Sequence, residues 1–128
     1  MPLVALERRS FLGGLVALLF RRSTMSRYGL HGKMVATAGQ RDALVEHLLT
    51  ASRLVSDAPG CELYYVSTSP TEPDAVWVTE VWRSKEDHDG SLKLPGVREL
   101  IQKARPLIGS MGESFVTTPV GGKGIGGG

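Results

Sequence analysis

The stretches CELYYVST (61–68) and AVWVTEVW (75–82) constrain the fold of this chain more than any other feature. Both are rich in Tyr, Val, Trp and Thr, and SPTEPD between them is a polar loop with two prolines. Such a pair predicts an antiparallel hairpin. In an ordinary two-layer fold one face of a hairpin packs on the core while the other turns polar. Here both faces are bulky, with Trp77 and Val81 pointing one way and Val78 and Trp82 the other. The fold must supply the sheet with an apolar neighbour on each side.

The flanking segments supply one of them. YGLHGKMVAT (28–37) reads with period two, placing Leu30, Met34 and Ala36 on one side and His31, Lys33 and Val35 on the other. Residues 39–60 carry Leu44, Val45, Leu48, Leu49, Ser52 and Val55 at helical spacing, and Pro59 and Gly60 end the helix. Ser84, with Asp87 three residues on, predicts an N-cap and a helix from Lys85 to about Leu92, broken by Pro95. GVRELIQKARPLI then gathers Val97, Leu100, Ile101 and Ala104 on one helical face before Pro106 disturbs it. ESFVTTPV reads as a last strand, and its Pro119 suits a sheet edge. The order βαββαβ predicts an α+β, ferredoxin-like split βαβ domain: a four-stranded antiparallel sheet with helices on one face. The other apolar face predicts a second copy of the chain, giving a homodimer with sheets packed face to face.

Composition closes off other classes. At 128 residues the chain is one domain, and 41% hydrophobic against 22% charged residues argues for a packed core rather than disorder. The formal charge is +2 with both signs interspersed, so no basic stripe predicts a nucleic-acid partner. The single cysteine, Cys61, forms no disulfide within the chain, reads as a small packed side chain, and belongs to no zinc spacing.

Residues 1–24 read as an extension. RRSFLGG followed by LVALLF resembles a twin-arginine export signal, but the apolar run of residues 11–20 ends at Arg21 and Arg22 without a small-residue cleavage site. Ten residues are too few to span a bilayer, so no stable membrane span is expected. Met25 offers an alternative start immediately before the domain. The expected location is cytoplasmic, with export through the signal-like segment as the alternative. The domain is expected over 25–120. The glycine-rich tail, 121–128, is expected to be flexible, and its phosphate-loop look fails because no strand-to-helix context surrounds it.

YGLHGKMVATAGQRDAL, APGCELYYVSTSPTEPDAVWVTEVWRSKEDHDGSL and PVGGKGI together resemble the antibiotic biosynthesis monooxygenase family, over about residues 27–125. The resemblance implies ferredoxin-like dimers of the dimeric α/β barrel kind. It also implies oxygenases that oxidise quinols or polyphenolic aromatics with O2 as co-substrate and no metal, flavin or nicotinamide. Haem-opening relatives carry an iron-ligating histidine on the second helix. Here LKLPGVREL holds none, so haem is not expected.

Candidate site residues follow. Glu80 and Trp82 share one strand face, and a carboxylate on an otherwise apolar face is a proton acceptor, half of an ion pair, or exposed at the dimer rim. Trp82 is expected to line an aromatic pocket, its ring N–H free to donate to a phenolic oxygen, or else to be a core residue. His88, six residues on, is the proton-transfer candidate, since imidazole titrates near neutral pH. His31 is expected to face either the cavity or the partner, and His47 the solvent. Tyr64 and Tyr65 take opposite strand faces and the pattern does not say which meets the cavity; Tyr65 is the candidate for the substrate. The leading expectation is a cofactor-independent monooxygenase acting on a small aromatic substrate, a quinol or polyphenol, with His88 or Glu80 taking its proton. The rival is a non-catalytic dimeric binding module for a small hydrophobic ligand.

Overall fold

The computed structural model describes residues 26–126, so the extension expected over 1–24 lies outside the described residues. The elements run β1 (Tyr28–Ala36), α1 (Arg41–Val55), β2 (Cys61–Thr68), β3 (Ala75–Trp82), α2 (Lys85–Ser91), α3 (Pro95–Ala104) and β4 (Ile108–Thr117). The four strands form one sheet in the order β2-β3-β1-β4, with every pairing antiparallel. The helices α1 and α3 lie on one face, which is the expected ferredoxin-like arrangement. No helix among the described residues is long and apolar enough to cross a membrane.

The last strand begins earlier than its sequence suggests. Leu107 and Ile108 continue the apolar stripe of α3, yet Arg105–Leu107 is a single 3-10 turn and Ile108 opens β4. Pro106 cannot extend an α-helix. β1 then captures the chain: the Thr37 N–H donates to the Leu107 carbonyl at 2.9 Å, and Ile108 pairs with Ala36. Gly109 and Gly112, poor strand formers, hide this part of β4 from a propensity reading.

Apolar packing sits between sheet and helices in two groups. One gathers Ala36, Leu44, Leu48, Val76, Val78 and Ala104, and the other Val55, Trp82 and Val97. Tyr64 touches both. Full burial of such a side chain stabilises by roughly 1.5–3 kcal/mol, so these two groups hold α1 and α3 over the sheet and fix the walls of whatever lies between them.

The tail is anchored where it is described. Arg27 donates to the carbonyls of Val120 (3.3 Å), Ile125 (3.4 Å) and Gly126 (3.1 Å), which turns residues 121–126 back toward the start of β1.

Candidate active site

Strand register builds the floor of the site. Leu30, Glu80 and Tyr64 are direct neighbours on β1, β3 and β2, and all three point toward the helices. Tyr28, Trp82 and Cys61 form the next row toward the end of the sheet.

Trp82 is fully buried, at 0% exposure. Its indole Nε1–H donates to Glu80 Oε1 at 2.9 Å. The expectation that this N–H is free for a substrate oxygen is therefore corrected: the same-face carboxylate two residues away takes it, and Trp82 supports the site from beneath. Burial pushes the Glu80 carboxyl above its ordinary value, and the Trp82 hydrogen bond and the nearby His88 ring only partly oppose that rise.

His88 enters from α2. The Ser84 Oγ caps this helix by accepting from the Asp87 N–H at 3.2 Å, and Arg83 pairs with Asp87 at 2.8 Å. One turn on, the His88 ring lies 5.1 Å from the Tyr28 ring and meets Trp82 edge-on at 5.9 Å, between centroids. His88 Nδ1 is 2.9 Å from Asp89 Oδ1. Asp89 is held below the usual carboxylate range by the hydrogen bond from Lys85 and then by His88, so it acts as the acceptor. That assigns a hydrogen to Nδ1, so in a neutral ring the lone pair lies on Nε2, the nitrogen facing Glu80. His88 Nε2 stands 4.0 Å from Glu80 Oε1, too far for a direct hydrogen bond and wide enough for an oxygen to bridge the two.

A cavity of about 260 Å³ opens above this floor. Leu48, Ala51 and Val55 of α1 and Val97, Leu100 and Ile101 of α3 make its walls apolar. Its polar side chains include Glu80, His88, Tyr64 and His47. Burial, with the Glu80 charge adding to it, keeps the Tyr64 phenol protonated far above neutral pH, so Tyr64 is a donor.

Glu80 and His88 thus come together, while two other expected site residues do not join them. His31 and Tyr65 lie in one row with Thr79 and Phe115 on the opposite face of the sheet. There His31 Nδ1 is 2.7 Å from Thr79 Oγ1 and its ring stacks on Trp77 at 4.6 Å. A strand side chain cannot reach through the sheet, so Tyr65, half exposed on that face, gives way to Tyr64 as the cavity tyrosine. His47 is also corrected, from solvent to cavity wall. The sequence did hold a signal for it: His47, Ala51 and Val55 recur every fourth residue along one side of α1.

Comparisons with known proteins bear on the family and the fold. The sequence profile of the family described as Antibiotic biosynthesis monooxygenase matches residues 27–103. A crystal structure from Chloroflexus aurantiacus J-10-fl that carries the same family name is 52% identical, with a TM-score of 0.74, covering 79% of this chain and all of that one. Two more distant structures share the fold. A Nitrosomonas europaea protein is 9% identical (TM-score 0.69, 74% of this chain and 91% of that one), and a Mycobacterium tuberculosis protein is 17% identical (TM-score 0.66, 77% and 99%). Among curated proteins no match was found.

Proposed function

The chain belongs to the antibiotic biosynthesis monooxygenase family, and from that premise and the cavity we propose that it is a monooxygenase that oxidises a quinol with O2. The observation that carries this reading is the 4.0 Å gap between His88 Nε2 and Glu80 Oε1 on the floor of an apolar cavity. A quinol hydroxyl seated in that gap meets one proton acceptor whose lone pair is already aimed at it and one carboxyl group of raised proton affinity.

The reaction balances without a further reductant. A 1,4-hydroquinone and O2 give a 2-hydroxy-1,4-quinone and water. Two electrons come from converting hydroquinone to quinone and two from replacing a ring C–H by C–OH; together they reduce one O2. His88 takes the hydroxyl proton, assisted by Glu80, and the Tyr64 hydroxyl donates to the oxygen that becomes negative. The electron-rich quinolate then gives an electron to O2 directly, which is why the reading calls for no metal or organic cofactor. Apolar walls keep water from the reactive intermediate.

The reading includes a homodimer. On the outer sheet face Tyr65 and Phe115 are each 50% exposed beside the His31–Trp77 stack. A second copy of this face would remove these rings from water.

The test is O2 consumption with a panel of hydroquinones in the presence of a metal chelator. Uptake well above autoxidation is expected, falling about a hundredfold in His88→Ala, the scale of a lost general base. Absence of uptake with every quinol sinks the oxygenase reading and leaves a binding module.

A further inference from the structure

His47 plays no part in the chemistry on the cavity floor. It is half-buried on α1, where the other side chains that α1 and α3 turn to the cavity are leucine, isoleucine, valine and alanine. Among the described residues no group makes a hydrogen bond or ion pair with its ring. Its ring nitrogens retain accessible surface, so they are open to a polar group that enters the cavity. Its place is across the cavity from the floor: Glu80 and Tyr64 project from the sheet, and His47 from the helix packed over it.

We propose that His47 is a second anchor of this site, holding the far oxygen of a 1,4-dihydroxy arene of one or two fused rings whose near oxygen lies between His88 and Glu80. The inference rests on the cavity being a quinol site and adds which quinols it takes. Size limits the ring count, because 260 Å³ lies just under the range of about 300 Å³ and more that holds drug-sized ligands. Polarity sets the position of the second oxygen: apart from the floor groups and His47, the polar side chain in the lining is Ser91, whose hydroxyl already donates to the His88 carbonyl at 2.6 Å.

The proton balance asks for the same arrangement. Going from hydroquinone to hydroxyquinone, both hydroxyl groups lose a proton, and the two protons end in the water released. The hydrogen displaced from the ring reappears in the new hydroxyl group. One departing proton is served by His88 and Glu80; the other leaves from the opposite end of the ring. Neutral imidazole has one lone pair and one N–H, so His47 accepts from the hydroxyl and afterwards donates to the carbonyl that replaces it.

The experiment is calorimetric titration under anaerobic conditions with 1,4-dihydroxynaphthalene and with 1-naphthol, which lacks the far oxygen. Wild-type protein is expected to prefer the diol by about tenfold, the scale of one good hydrogen bond. His47→Leu should weaken diol binding to the level of 1-naphthol and leave 1-naphthol itself unchanged. His47→Gln, which retains a donor and an acceptor, should restore most of the preference. Equal wild-type binding of the two, binding of neither, or a His47→Leu variant that weakens both alike or neither, overturns the proposal. O2 uptake reads the oxygenase separately: diol preference without uptake keeps the anchor and removes the enzyme, and uptake without preference does the reverse.

Discussion

The Trp82 indole N–H donates to Glu80 Oε1 at 2.9 Å, so the largest fully buried side chain of the core also aims the carboxyl group on the cavity floor. Trp82→Phe keeps much of the ring and removes the donor. Leaving a buried acceptor without its partner should cost about 1–3 kcal/mol in urea unfolding. It should also raise the Glu80 proton affinity further, read by carboxyl-carbon NMR. A Glu80 titration identical in the two proteins contradicts this role.

Glu80 also gives a pH signature. Its folded value lies above the ordinary glutamate value, so between the two the folded protein holds an extra proton. The stability it contributes is therefore complete below the unfolded value and lost as pH rises through the folded one. Glu80→Gln cannot titrate and still offers an oxygen to Trp82. The stability of wild type minus that of the variant should fall as pH rises through this window. Asp87 and Asp89, whose values are lowered, act in the opposite sense but are common to both proteins and cancel in the difference. A difference that rises with pH contradicts the raised value.

Much of this fold is legible in the sequence because periodicity carries it. The apolar spacing of α1, the alternation of β3 and the Ser84 cap each fixed an element, and β3 showed both of its faces at once. The site was harder because it depends on pairing. Whether Tyr64 or Tyr65 meets the cavity follows from Tyr64 lying opposite Glu80, a relation between strands that no single strand states. His47 was hidden by the width of the buried side of α1: a reading centred on Leu44 and Leu48 places it at the margin, and only the nearby α3 turns that margin into a cavity wall. Trp82 carried the aromatic signal of a pocket, yet its N–H was already engaged.

Gly60 links the turn before β2 to the helix that carries His88. It sits at φ +79, and an added Cβ would collide with the Asp87 carboxylate. Gly60→Ala should therefore destabilise by about 1–3 kcal/mol, through backbone strain and displacement of Asp87. The His88 ring resonances should shift with it, since Asp87 is the neighbouring residue on α2. Stability equal to wild type contradicts this account.

The dimer is tested from the face opposite the cavity. Phe115→Asp places a charge beside the His31–Trp77 stack and should shift the protein to monomer in sedimentation velocity at micromolar concentration. A wild-type protein that already sediments as a monomer removes the interface.

Core and rim should respond differently to truncation. Leu44 is fully buried and Leu92 is 44% exposed at the cavity edge. Leu44→Ala should cost about 2–5 kcal/mol in chemical denaturation, whereas Leu92→Ala should stay within about 0.5 kcal/mol. Equal losses would mean that the packing described for α1 is not what holds the fold.

Along β3 the residues alternate without interruption: Trp77, Thr79 and Val81 look outward, and Val78, Glu80 and Trp82 look toward the helices. The two surfaces can therefore diverge independently by point substitution, since no residue belongs to both. A change in length has no such freedom. Deleting one residue within the strand would exchange inside and outside beyond that point, placing a carboxylate on the outer face and a threonine on the cavity floor. Among descendants of this sequence, variation in β3 should take the form of replaced letters at constant strand length, with insertions and deletions confined to the SPTEPD loop.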